Sequence, residues 1–165
     1  MMKFWFKIFI FSALIFVGCA KEYEKHHITL NDPRGIDTQF FPSQQRLKMG
    51  DKPYMLFFFG TDCGVCKKQI PDLNELYKIY GDRMEFIGVL GPSKGFDKDM
   101  ALLKEHGIEF KTTSDKVSVD YFSKAVGGVM GVPVVYFFDK SGKMSGKFIG
   151  LTPKSVLEGA IKSAL

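Results

Sequence analysis

Cysteine and histidine are scarce in this chain, three of each among 165 residues. That is too few cysteines for a small disulfide scaffold, and a closed zinc site would take most of the ligands present. Long apolar runs are missing too. The uncharged, mostly apolar segment Ile8 to Gly18 near the start has eleven residues, where a membrane-spanning helix needs roughly 20. With 45% hydrophobic and 25% charged residues, neither a disordered tail nor a multi-span membrane protein fits, and the length suits one domain. The net charge of +5 permits a nucleic-acid or membrane partner without demanding one. The odd cysteine count requires an explanation: Cys63 and Cys66 are neighbours, while Cys19 stands apart.

The first residues account for Cys19. Lys3 and Lys7 precede the apolar stretch IFIFSALIFVG, and a small residue, Gly18, precedes Cys19. A positive start, a short apolar centre and a small residue are the parts of a secretory signal peptide. Phe16-Val17-Gly18-Cys19 resembles the lipobox of bacterial lipoproteins, with Phe16 in place of the usual Leu. The resemblance implies lipidation of Cys19 and cleavage before it, making residues 1–18 a leader. A plain signal peptide cut nearby and an uncleaved anchor are the alternatives. Cleavage before Cys19 removes Lys3, Lys7 and the single tryptophan, Trp5, and takes the net charge from +5 to +3. No nucleic-acid partner is then expected. Residues 19–27, with the polar KEYEK and two histidines, are expected to form a solvated tether. Export also sets the redox environment, because disulfides persist outside the cytoplasm.

Residues 28–165 are expected to form one α/β domain. Turn-forming residues over 28–52 suggest a short hairpin or extended lead-in. Tyr54 to Phe59, YMLFFF, is a continuous apolar run that predicts a strand buried on both faces. Ile70, Leu73, Leu76, Tyr77 and Tyr80 recur at helical spacing between Cys63 and Gly81. Further strands are predicted at Met84–Leu90, Ile108–Phe110, Val132–Phe138 and Lys143–Ile149. Helices are predicted from Asp97, over Val117–Val126, and after Thr152 as a cap with Pro153 in the first position, burying Val156, Leu157 and Ile161. Asp139 to Gly142 supplies a hairpin turn. The alternation implies a central mixed sheet with helices on both faces.

Cys63-Gly64-Val65-Cys66 falls where the buried strand hands over to a helix. The first cysteine then lies at unpaired backbone N–H groups, which stabilise a thiolate, and the second sits one turn inside. Lys67 and Lys68 add positive charge nearby. Half a zinc site and a structural staple are the competing interpretations. Zinc lacks two further ligands, and a bridge closing two residues stabilises little. Thiol–disulfide exchange is therefore favoured, with no cofactor and no metal expected.

The segment YMLFFFGTDCGVCKKQIPDL resembles the active-site strand and helix of the thioredoxin superfamily, with Pro71 matching its helix-interior proline. Gly131-Val132-Pro133 matches the family loop whose cis-proline faces the redox pair. Over roughly residues 36–165 the chain resembles the TlpA/ResA-type, membrane-tethered subgroup. The resemblance implies a thioredoxin-like fold and catalytic Cys63 and Cys66 that form a redox-active disulfide. It also implies client binding at Val132 and Pro133, and a membrane thiol donor that regenerates the pair on the periplasmic face of a bacterial membrane. Clients would be exported protein thiols or disulfides, with apocytochrome c or a copper-site protein as examples. Asp62 stands where thioredoxins have Trp, Val65 where Pro is common, Phe57 where a buried Asp sits, and Gln69 where some ResA-type members have Glu. The usual internal base for Cys66 is thus absent, and the direction of electron flow does not carry over. A Sco-like copper chaperone would need C-x-x-x-C and a histidine near Pro133, whereas His106 falls on a predicted helix. A peroxiredoxin-like peroxidase would need Thr three residues before its cysteine, whereas Thr61 is two before Cys63.

Overall fold

Strand β4, Tyr54–Phe59, is the centre of the molecule and every one of its six residues is buried. Alternate side chains leave a strand on opposite faces, so this apolar run serves two cores at once. Met55, Phe57 and Phe59 pack into one cluster, whereas Tyr54, Leu56 and Phe58 pack into the other. The computed structural model describes residues 23–165, which form eight strands and four α-helices.

The chain runs through β1 (Tyr23–His27), β2 (Ile36–Phe41), a 3₁₀ turn, β3 (Arg46–Lys48) and β4, then α1 (Gly64–Tyr80) and β5 (Glu85–Leu90). It continues through α2 (Phe96–Glu105), β6 (Lys111–Thr113), α3 (Lys116–Ala125), β7 (Val134–Phe138), β8 (Met144–Ile149) and α4 (Lys154–Ala164). The main sheet has the order β6-β5-β4-β7-β8. β4 pairs parallel with β5 and antiparallel with β7, giving the mixed sheet expected. Leu73 and Leu76 of α1, Leu102 and Leu103 of α2, and Leu157 and Ile161 of α4 cover one face. Phe122 of α3, with Ile36 of β2, Leu47 of β3 and Met49 just after β3, covers the other.

The amino-terminal strands form a second, antiparallel sheet, β1-β2-β3. It joins the main body where the Leu47 N–H donates to the Gly142 carbonyl at 2.9 Å. Gly142 has φ +82°, and a β-carbon there would lie 2.6 Å from the Leu47 oxygen, so this turn requires glycine.

Four expectations are corrected. The tether assigned to residues 19–27 is a strand from Tyr23, and His27 is fully buried rather than solvated. Its Nδ1 lies 2.9 Å from Ser118 Oγ and its Nε2 lies 3.1 Å from Thr38 Oγ1. The rings of Tyr121 and Phe122 pack against it. Ile108 and Phe110 anchor the chain in the core, but the ladder with β5 is made by the next residues, Lys111–Thr113. Thr152 does not cap α4, because its main chain is bonded to Gln69 and its hydroxyl donates to the Gly150 carbonyl. Pro153 takes the cap position without a side-chain hydrogen bond, and Val156 is 44% exposed.

Candidate functional site

Gly60 follows β4, and its carbonyl accepts a hydrogen bond from the Cys63 N–H at 3.2 Å, closing the turn that aims Cys63 at the start of α1. Cys63 is the helix N-cap. Its sulfur accepts from the Cys66 N–H at 3.1 Å, satisfying one of the donors every helix start leaves open. Cys63 and Cys66 are joined as a disulfide, with Cα atoms 5.2 Å apart. Their depths differ: Cys66 is fully buried among Phe57, Phe59 and Ile70, while Cys63 is half-buried. Only the first sulfur offers itself to an incoming thiol or disulfide.

The loop before β7 completes the site. The Val132–Pro133 peptide is cis, and the Val132 carbonyl oxygen lies 3.9 Å from Cys63 Sγ. The Pro133 carbonyl accepts from the Gly150 N–H at 2.8 Å. Two residues on, Thr152 is held at both main-chain groups by one side chain. Its N–H donates to Gln69 Oε1 at 2.7 Å, and its carbonyl accepts from Gln69 Nε2 at 3.0 Å. A run of hydrogen bonds thus ties the turn of α1 carrying Cys66 to the loop facing Cys63.

A second cis peptide, Gly91–Pro92, closes the opposite side. Between it and α3 runs an apolar groove of about 460 Å³, lined by Phe59, Gly91, Pro92, Val119, Val129 and Val132. The loop after Pro92 is organised by Asp99, a fully buried carboxylate that accepts from Ser93 Oγ at 2.5 Å and from the Lys94 N–H at 3.0 Å. The Lys94 ammonium in turn lies 3.1 Å from the Asp62 carboxylate, next to Cys63.

Residues 40–161 match the family model described as Redoxin. The chain belongs to the Redoxin family. Among relatives within its reach, ResA, a thiol-disulfide oxidoreductase of Bacillus thuringiensis, is 29% identical over 90% of this chain and 84% of its own. The thiol-disulfide oxidoreductase YkuV of Bacillus subtilis is 28% identical, over 71% of this chain and 80% of its own. In fold, a thioredoxin-family thiol:disulfide interchange protein of Chlorobium tepidum superposes with a TM-score of 0.66 at 22% identity, covering 88% of this chain and 94% of that one. StoA of Bacillus subtilis gives 0.64 at 17% identity, over 86% and 98%. This Redoxin-family protein is a thiol–disulfide oxidoreductase of the ResA type with a thioredoxin-like fold.

Cys63, Cys66, Val132 and Pro133, all singled out from the sequence, lie together, with Cys63 and Val132 reaching the surface and Cys66 and Pro133 buried behind them. Cys19 lies outside the described residues. Phe57 stacks on Phe59 with ring centroids 4.8 Å apart, so the floor under the cysteines is apolar where thioredoxins hold an acid. His106 is the C-cap residue of α2, its Nε2 3.6 Å from Glu105. The Thr61 hydroxyl oxygen is buried without a hydrogen-bond partner among the described residues. Sequence reasoning missed the roles of Pro92, Lys94 and Asp99, and it saw Gln69 only as a lost acid. The signal for Gln69 was present: it is a polar residue on the inward stripe shared by Cys66, Ile70 and Leu73.

Proposed function

We propose that this oxidoreductase works on exported proteins at the periplasmic face of a bacterial membrane, anchored by lipid on Cys19. The observation that carries the exchange chemistry is the pairing of a half-buried Cys63 with a buried Cys66 at the start of α1, opposite Val132 and Pro133. In the reducing direction, the Cys63 thiolate attacks a client disulfide, forming a mixed disulfide and releasing one client sulfur as thiolate. Cys66, as thiolate, then attacks Cys63. The second client sulfur leaves, and the Cys63–Cys66 bond forms. A membrane dithiol donor returns the two electrons.

The exposed Val132, set beside Cys63 by its cis bond to the buried Pro133, is suited to hold the client's extended backbone. The ResA relationship supports clients with paired cysteines, such as the haem-attachment cysteines of apocytochrome c. The leader-like start of the chain supports export and anchoring. Among the described residues no helix is long and apolar enough to cross a membrane.

The test is to express the full-length Cys66→Ser variant in its native host. Exchange should halt as a mixed disulfide on Cys63, and mass spectrometry of the adduct names the client. A Cys63 recovered entirely as free thiol would overturn the exchange reading. An adduct made only with cytoplasmic proteins would overturn the location.

A further inference from the structure

Asp62 presents a difficulty that the mechanism leaves open. A carboxylate beside the attacking cysteine disfavours its thiolate, and Asp62 immediately precedes Cys63 with its side chain exposed. The structure places one cation against it. Lys94 Nζ lies 3.1 Å from Asp62 Oδ2, although the two residues belong to different segments of the chain. Lys94 is not on a free loop end. Its N–H and the neighbouring Ser93 hydroxyl both donate to Asp99, which is fully buried at the start of α2. A buried carboxylate is retained only when it is well hydrogen-bonded, and here its partners are the two residues that set the path of the Pro92–Gly95 loop.

We propose that Lys94 is a positioning residue for the reaction: held by Asp99 and Asp62, it offsets the Asp62 charge and keeps Cys63 available as thiolate. The proposal rests on Cys63 being the attacking sulfur. Other charges around Cys63 do not replace Lys94. Lys67 and Lys68 lie along α1 and are present whether or not Asp62 is neutralised. Lys116 of α3, on the wall of the groove, is already paired with Asp120 at 2.5 Å. Residues 128–132 and 150–153 bring no charged side chain.

The test is the pH profile of iodoacetamide alkylation of the reduced full-length protein, read by mass spectrometry on the peptide containing Cys63. Lys94→Gln should shift the midpoint to higher pH and slow alkylation at pH 6 by about three- to tenfold. Lys94→Arg should restore the original profile. The Lys94→Gln effect should shrink in an Asp62→Asn background, where the anchor for Lys94 is gone. It should also shrink in about 0.5 M salt, as expected for an exposed pair. An unchanged midpoint in Lys94→Gln would overturn the proposal, as would a Lys94→Arg protein that behaves like Lys94→Gln. Failure of the exchange reading itself would be seen elsewhere, as a missing Cys66→Ser adduct, with the alkylation profile still measurable.

Discussion

Two buried polar side chains, Gln69 and His27, hold the site and the amino-terminal sheet in place. Gln69 satisfies both main-chain groups of Thr152 with one amide. Gln69→Ala would leave a buried N–H and a buried carbonyl unpaired, at a cost of about 2–4 kcal/mol. Urea unfolding of the oxidised protein measures this, and reductase activity should fall too as the segment behind Pro133 loosens. His27 carries a different prediction. Burial, then the charge of Lys25, lowers its pKa to about 4. Between that value and the ordinary 6.5 the unfolded chain binds a proton that the folded one refuses. Stability is therefore full above pH 6.5 and falls as the pH drops toward 4. Unfolding at pH 7 and pH 4.5 should differ by about 2–3 kcal/mol from this group, and a His27→Asn variant should lack that part of the slope.

Among the elements, those with a strong local signature were legible in the sequence: the unbroken apolar run of β4, the stripe of α1, the hairpin turn before β8. Pairing partners far along the chain decided the others. Tyr23 to His27 is a polar pentapeptide that becomes a strand because β2 pairs with it and Ser118, 91 residues away, meets His27. Ile108 and Phe110 looked like a strand because they are apolar and close together, yet their burial comes from helix and sheet contacts and not from a ladder. Thr152 had the chemistry of a cap, but Gln69 had already claimed its backbone. An oxygen cap of that kind sits instead on α3, where Asp115 Oδ1 accepts from the Ser118 N–H at 2.9 Å. Asp115→Ala should cost about 1 kcal/mol, visible as a lower urea midpoint. Since Ser118 also meets His27, the same variant should weaken protection of β1 amides in hydrogen exchange.

For the whole molecule, the cysteine pair and its facing loop were readable as motifs, while the arrangement that fixes them to each other was not. Gln69, Thr152, Gly150 and Pro133 form that arrangement without involving either sulfur. Hydrogen-exchange protection at the Gly150 and Thr152 amides should then be equal in the oxidised and reduced proteins; a large loss on reduction would show that the disulfide itself supports the loop.

If Cys19 carries the lipid proposed above, the strand at Tyr23–His27 also sets how far the domain can wander. A tether of nine residues, 19–27, could extend by about 32 Å, but only residues 19–22 precede β1, and four residues span at most about 14 Å. The catalytic body would then stay within about 14 Å of its point of attachment. It would then sweep a thin layer next to the lipid, and encounter with clients would be governed by what diffuses into that layer.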